Sequence, residues 1–159
     1  MSLDGDIALL QRVPLFTDLP GEQLRLIAFN AVRLELVAGQ VLFRQAAKAV
    51  CGYVVSSGKI EITTKTARGK ETTVTCEAGA LIGETALFIE TTRPGTAKAA
   101  TAAQVIEIDR RLMTKILAEY PAIAASMKAK LADRLTATIF DLARVRQTLA
   151  RIERLAPRR

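Results

Sequence analysis

The chain has 159 residues, half of them apolar, and a formal net charge of +7 at pH 7. This length suits one domain, residues 1–159, which buries about 70% of the surface that the unfolded chain exposes. The apolar fraction excludes a disordered chain. No apolar run approaches the roughly 20 residues that cross a bilayer, and no signal peptide is recognisable at the start, so we expect a cytoplasmic protein with no membrane partner.

The available side chains also restrict the chemistry. The sequence has no histidine and only two cysteines, Cys51 and Cys76. Zinc sites and iron–sulfur clusters need more of these ligands, and the commonest general base is missing. We therefore expect no metal, no cofactor and no enzymatic activity. The two cysteines fit a reducing compartment, and a disulfide between them is left open.

Residues 1–31 are predicted to form N-terminal helices. The apolar residues Ile7, Leu9 and Leu10 favour a first helix that ends before Pro14. Pro20 suits the first turn of a second helix, because proline needs no backbone partner there.

Residues 32–108 contain many short runs rich in β-branched and apolar residues, separated by turn residues. The predicted strands lie at Leu34–Leu36, Val41–Phe43, Tyr53–Val55, Ile60–Ile62, Thr63–Thr66, Glu71–Cys76, Thr96–Ala103 and Val105–Ile108. Residues 67–70 carry a hairpin signal, and Gly39 and Gly58 are predicted to be turn glycines. This pattern is typical of a mainly β protein with flanking helices, either a β-roll or a sandwich.

The stretch 82–99, IGETALFIETTRPGTAKA, combines the groups that bind a phosphate ester. Gly83 allows close backbone approach, and residues 84–88 open a short helical turn whose N–H groups attract an anion. Arg93 adds a planar donor that matches phosphate oxygens. A phosphate would repel the carboxylate of Glu84, so Glu84 is expected to accept a ribose hydroxyl instead. Phosphate and ribose together indicate a nucleotide.

Gly83-Glu84-x-Ala86-Leu87, followed by Arg93 and Thr96, resembles the phosphate-binding cassette of cyclic nucleotide-binding domains. That family includes domains of the catabolite activator protein, of cyclic-nucleotide-dependent kinases and of gated channels. Further matches run in order from residue 15 to about residue 142: Leu15-Phe16-x-x-Leu19, Ala38-Gly39-x-x-Leu42-Phe43 and Gly52-Tyr53-x-Val55-x-x-Gly58-x-Ile60.

The resemblance implies a β-roll of the double-stranded β-helix or jelly-roll type that binds a cyclic nucleotide, cAMP or possibly cGMP, without catalysis. The implied ligand-binding residues are Gly83, Glu84, Thr85, Ala86, Arg93, Pro94, Gly95, Thr96, Leu135 and Thr138. Taken singly, Arg93 fits a solvated loop arginine and Glu84 an ordinary first-turn carboxylate.

Two residues depart from the family's pattern. Relatives commonly place Ser, Thr or Ala after the arginine, whereas this chain has Pro94, which offers neither an N–H nor a hydroxyl. One phosphate contact should therefore be missing, and a contact to guanine as well, which favours micromolar cAMP binding over cGMP binding. Gly95 replaces the usual alanine, and we expect a looser loop there.

Residues 109–156 are predicted to be helical. Asp109 is a plausible N-cap, and Tyr120-Pro121 separates a first helix from a longer one. The longer helix carries two interleaved series that repeat every seven residues: Leu135, Leu142 and Leu149, and Leu131, Thr138, Val145 and Ile152. Such a seam favours pairing of the helix with a copy of itself, hence a homodimer, and the alternative is a helix lying on its own β domain.

Thr138 is the polar member of this seam. Its position resembles the one where the catabolite activator protein lets a threonine reach the adenine, so Leu135 and Thr138 are expected to contact the base. A threonine in a helix also hydrogen-bonds its own helix carbonyls, and both interpretations stay open.

The function predicted from these features is that of a sensor whose C-terminal helix or dimer interface responds to the ligand. One alternative is the ligand-sensing part of a transcription regulator. The six arginines within residues 144–159 favour contact with nucleic acid, but no DNA-binding helix-turn-helix follows in this chain. A second alternative is a degenerate module that only dimerises or docks a partner.

Overall fold

The computed structural model describes residues 2–132 and 148–154. Helix α1, Leu3–Gln11, begins after Ser2, whose hydroxyl accepts a hydrogen bond from the Gly5 N–H at 3.1 Å. A 3₁₀ turn, Pro14–Phe16, follows, and helix α2, Gly21–Asn30, begins directly after Pro20. The prolines therefore end and start these helices as the sequence predicts.

Ten strands form the β region. They are β1 Val32–Leu36, β2 Val41–Phe43, β3 Lys48–Ala49, β4 Cys51–Ser57, β5 Ile60–Lys65, β6 Glu71–Cys76, β7 Leu81–Ile82, β8 Thr91–Thr92, β9 Thr96–Ala99 and β10 Ala103–Asp109. Two four-stranded antiparallel sheets have the orders β1-β10-β4-β7 and β2-β9-β5-β6, and β3 pairs with β8. The predicted β-roll with flanking helices is confirmed.

The first sheet is covered on both faces. Val55 and Val105 belong to the apolar interior of the roll, together with Ile60 and Ala97 of the second sheet. Their neighbours Val54 and Ile106 face the other way and pack against the helices. Because successive side chains of a strand point to opposite faces, the adjacent apolar pairs Val54–Val55 and Val105–Ile106 serve both faces of this sheet.

The turns agree with the prediction in part. The β5–β6 hairpin closes with the Thr66 N–H donating to the Lys70 carbonyl at 2.8 Å, and Gly69 has φ +81°. Of the two strands predicted at residues 96–103 and 105–108, the first ends at Ala99, where the chain turns, and the second already begins at Ala103. At Gly58, with φ +78°, a Cβ atom would lie 2.3 Å from the Ala102 carbonyl oxygen. The turns after β4 and β9 are therefore packed directly against each other.

Helix α3, Arg110–Glu119, is capped by Asp109, whose carboxylate accepts from the Arg111 N–H at 2.9 Å, as predicted. Helix α4, Pro121–Ala132, is tied to the N-terminal 3₁₀ turn by Lys130. The Lys130 ammonium donates to the Pro14 carbonyl at 2.9 Å and pairs with Asp18 at 2.9 Å. Hydrogen bonds from Ser126 and Lys130 hold the pKa of Asp18 below its usual value.

The predicted dimer seam is described only at its ends. Leu131 lies in α4, while Leu135, Thr138, Leu142 and Val145 fall outside the described residues. Residues 148–154 are helical, with Leu149 buried in the same apolar cluster as α1, α2 and α3, and Ile152 packed against that cluster. At Leu149 this burial fits the alternative of a helix lying on its own domain, and pairing of two chains stays a prediction.

Both cysteines are free, Cys51 in the interior and Cys76 half-buried. Burial raises the pKa of the Cys76 thiol. Among the described residues, no helix combines the length and the apolar character needed to span a membrane.

Candidate functional site

The segment between β7 and β8 begins with a tight turn at Gly83. Gly83 has φ +73° and is followed by a 3₁₀ turn, Glu84–Leu87, so the short helical turn expected here is present. The Ala86 N–H donates to the Gly83 carbonyl at 3.1 Å and is therefore not free for a phosphate. A single 3₁₀ turn also has a small dipole, so most of the positive potential at this site must come from Arg93.

Gly83 is required for two physical reasons. Its positive φ disfavours every residue with a side chain. In addition, a Cβ atom at this position would lie 2.3 Å from Nη1 of Arg93. The turn and the guanidinium, ten residues apart in the chain, are thus in direct contact.

The backbone of Arg93 is fixed by the loop between β2 and β3. Its N–H donates to the Ala47 carbonyl at 2.8 Å, and its carbonyl accepts from the Ala46 N–H at 2.9 Å. Ala46 itself has φ +70°, an uncommon conformation for alanine. The loop therefore directs the Arg93 side chain into the roll instead of towards solvent.

The guanidinium of Arg93 is almost completely buried, with 4% of the residue exposed. Nη2 donates to the Cys51 carbonyl at 2.8 Å and lies 3.4 Å from the Cys51 sulfur. Nη1 is buried and finds no hydrogen-bond partner within residues 2–132 and 148–154. A buried guanidinium with a donor left over is unfavourable unless an acceptor is supplied, so Nη1 is prepared to receive an anion.

Two aromatic rings support this guanidinium. Cζ of Arg93 lies over the Phe43 ring, 4.4 Å from its centroid, and 5.4 Å from the centroid of Tyr53. The two rings are stacked on each other with centroids 5.9 Å apart. Burial, together with a hydrogen bond to Cys51, raises the pKa of the Tyr53 phenol.

Glu84 follows Gly83 and is 5% exposed. The carboxylate that the sequence assigns to the ribose therefore belongs to the residue directly after the glycine that contacts Arg93. Both charged side chains of the predicted site, Glu84 and Arg93, therefore come from the segment between β7 and β9.

The residues after Arg93 have different surroundings. Pro94 is exposed, whereas Gly95 is buried against β5. A Cβ atom on Gly95 would lie 2.8 Å from Thr64 Oγ1 and 2.9 Å from the Thr63 carbonyl oxygen. This glycine therefore allows tight packing of the loop on the strand, and this contact gives no support to the looseness expected from the loss of the usual alanine.

Thr96 has a structural partner. Its hydroxyl accepts from the Gln45 N–H at 2.9 Å, and the Gln45 side chain in turn bridges to the backbone of Lys65 with hydrogen bonds of 2.8 and 2.9 Å. Thr96 thus joins the β2–β3 loop to the second sheet next to the site. Of the predicted ligand-binding residues, Gly83 contacts the Arg93 guanidinium, and Glu84, Thr85 and Ala86 follow it in the 3₁₀ turn. Leu135 and Thr138 lie outside the described residues.

Sequence reasoning missed Phe43, Tyr53 and Cys51 as neighbours of Arg93. Phe43 and Tyr53 both occur in segments that match the family, but their strands belong to different sheets. The available signal was their place in the apolar runs Val41–Phe43 and Tyr53–Val55, which indicates burial without naming the partner.

Comparison with known proteins gives a consistent family assignment. The sequence profile of the cyclic nucleotide-binding domain matches residues 33–120. A cyclic nucleotide-binding-like protein from Brucella abortus is 41% identical, with a TM-score of 0.63 over 70% of this chain and 97% of that one. The regulatory domain of Toxoplasma gondii PKA, solved with cAMP, is 22% identical, with a TM-score of 0.70 over 82% of this chain and 50% of that one.

Among curated proteins, a lysophospholipase NTE1 from Phaeosphaeria nodorum is 25% identical over 136 residues. The match covers 85% of this chain and spans only 9% of the lysophospholipase. The similarity thus concerns one segment of a much longer protein. With its β-roll, its buried cassette arginine and a profile match over more than half its length, the chain belongs to the cyclic nucleotide-binding domain family.

Proposed function

We propose that this chain is a non-catalytic regulatory module that binds a cyclic nucleotide, and that the nucleotide is cAMP. The observation that carries the proposal is the buried guanidinium of Arg93, whose Nη1 touches the Gly83 turn and has no acceptor in the part of the chain that the structure describes. A cyclic phosphodiester carries one negative charge and two free oxygens. One of these oxygens accepts from Nη1 and turns an unpaired donor into a charge-assisted hydrogen bond.

The phosphate would lie between the edge of the guanidinium and the cassette turn. Because Nη1 is packed against Gly83, the turn has to move outward to admit the phosphate. Glu84, the next residue, then accepts a ribose hydroxyl. The base extends towards Leu135 and Thr138, as the family resemblance implies.

The choice of cAMP rests on Pro94. A proline after the arginine supplies no N–H to the phosphate and no hydroxyl to a guanine. Pro94 is exposed, so its ring is not needed in the core of the roll. The regulatory domain from Toxoplasma gondii was solved with cAMP, which supports the same ligand for a chain of the same fold.

The output of the module is proposed to pass through its helices. A ligand shifts a helix only when it binds one arrangement more tightly than another. Helix α4 is held to the N-terminal 3₁₀ turn by Lys130 and Asp18, so a ligand that moves the C-terminal helix works against this contact. A cytoplasmic location and pairing of two chains complete the proposal.

Isothermal calorimetry on protein shown to be free of co-purified nucleotide tests this function. We expect cAMP to bind with micromolar affinity and cGMP to bind more weakly. If neither nucleotide produces heat, the proposal is wrong and the chain is better explained as a dimerisation or docking module.

Replacing Pro94 with serine should strengthen nucleotide binding and reduce the preference for cAMP. The serine supplies one N–H to the phosphate, worth about a five-fold gain in affinity for both nucleotides. Its hydroxyl adds a contact that only guanine uses, so cGMP should gain more than cAMP. Pro94→Ala is the matched control, since it restores the N–H without the hydroxyl and should raise both affinities equally. A cAMP:cGMP ratio that is the same in Pro94→Ser and Pro94→Ala would contradict the assigned role of this position.

A further inference from the structure

We propose that Phe43 and Tyr53 form an aromatic platform that positions the Arg93 guanidinium for its anion. The inference rests on the proposed function and names two residues that act through Arg93 and not on the ligand. Cζ of Arg93 lies 4.4 Å and 5.4 Å from the two ring centroids, and the rings contact each other with an interplanar angle of 25°.

The platform uses the face of the guanidinium and leaves its edge available. The N–H groups of arginine lie in the plane of the group, whereas the attraction to an aromatic ring acts through the face. With Cζ over the Phe43 ring, Nη2 donates to the Cys51 carbonyl at 2.8 Å. Nη1, at the same end of the group, lies against Gly83 and has no hydrogen-bond partner among the described residues. One donor is thus used for anchoring, and the other is held out for an anion.

Immobilisation of the Arg93 side chain should account for a large part of the affinity that the platform adds. An arginine that is free in solution loses rotamer entropy when it binds a phosphate. Here the entropy is lost on folding, through two rings, one carbonyl and a backbone fixed to Ala46 and Ala47. Ligand binding then proceeds to a guanidinium that is already oriented.

The platform also couples the site to the architecture of the roll. Phe43 ends β2 in the second sheet, and Tyr53 lies in β4 in the first sheet. Arg93 comes from the connection between β8 and β9. The guanidinium is therefore positioned only when the two sheets pack together in the folded roll. No single segment of the chain supplies both rings.

Phe43→Leu tests the platform, because leucine keeps the apolar character and removes the ring. Phe43 is partly exposed, so the substitution is tolerated better than one at the buried Tyr53. We expect cAMP affinity, measured by calorimetry, to fall about five- to ten-fold. Phe43→Tyr keeps the ring and should stay within about two-fold of the unmodified protein.

A double-mutant cycle separates positioning from a general loss of packing. In an Arg93→Met background there is neither a charge nor a planar group to hold on the rings, so Phe43→Leu should cost less than about two-fold in affinity. An equal loss with arginine and with methionine would mean that Phe43 supports the fold or the ligand directly, and would overturn the inference.

A second readout needs no ligand. The ring currents of Phe43 and Tyr53 should displace the Arg93 side-chain NMR resonances, and Phe43→Leu should move them towards the values of an exposed arginine. Unchanged resonances overturn the platform whatever the affinities are. A protein that binds no cyclic nucleotide overturns the proposed function, and the resonance shift then decides the platform alone.

Discussion

Replacing Arg93 with alanine should lower the affinity for cAMP by at least about 100-fold, because a buried, oriented charge is removed from the phosphate. The large effect follows from burial: with 4% of Arg93 exposed, little water screens the guanidinium from its anion. Isothermal calorimetry over a wide cAMP concentration range gives the affinity. The cAMP affinity of Arg93→Lys should lie between those of the unmodified protein and Arg93→Ala. Lysine keeps the charge but cannot donate to both the Cys51 carbonyl and a phosphate oxygen.

The fold should survive this substitution. The variant loses the contact with Phe43 and Tyr53 and leaves the Cys51 carbonyl without its donor, but it also removes the buried Nη1 donor, which has no acceptor among the described residues. We expect an unfolding free energy lower by about 1–3 kcal/mol, with an unchanged circular dichroism spectrum.

Arg68→Ala is the matched control for the charge. Arg68 is exposed in the β5–β6 hairpin, so its loss changes the net charge identically while the site stays intact. Arg68→Ala should bind cAMP as the unmodified protein does. If Arg93→Ala also binds with unchanged affinity, the cassette assignment is wrong.

The parts of this molecule that could be predicted from sequence are those governed by local rules. The β5–β6 hairpin is marked by β-branched runs around Gly69, and helix α3 by its N-cap Asp109. The cassette could be recognised because Gly83, Glu84 and Arg93 lie within one short segment. In each case the residues that make the structure are close in the chain, so their spacing carries the information.

The surroundings of Arg93 could not be predicted in the same way. Its partners Phe43, Cys51 and Tyr53 lie 40 to 50 residues away in the chain, and only the closure of the roll brings them together. Gly95 illustrates the same limit. Only a residue without a Cβ atom fits there, because Thr63 and Thr64 of β5, far away in the chain, occupy the space. The two-residue strands β3, β7 and β8 are too short for any periodic signal.

Replacing Gly83 with alanine should reduce cAMP affinity more than ten-fold and also destabilise the fold. The positive φ of +73° costs about 1–2 kcal/mol for a residue with a Cβ atom. The added methyl group would lie 2.3 Å from Arg93 Nη1, so the guanidinium has to leave the position in which it faces the turn. Calorimetry measures the first effect and thermal unfolding the second.

Gly69→Ala separates the two causes, because Gly69 has a similar φ of +81° and no atom within 4 Å of the position of a Cβ. It should therefore lose about 1–2 kcal/mol of stability through backbone strain and bind cAMP normally. Gly83→Ala should lose the same amount through strain, more through displacement of Arg93, and its affinity as well. If both variants bind cAMP equally well, the contact between Gly83 and Arg93 has no part in ligand binding, and the phosphate lies elsewhere. If Gly83→Ala alone loses binding, the ligand requires the guanidinium in the position that only a glycine at residue 83 allows.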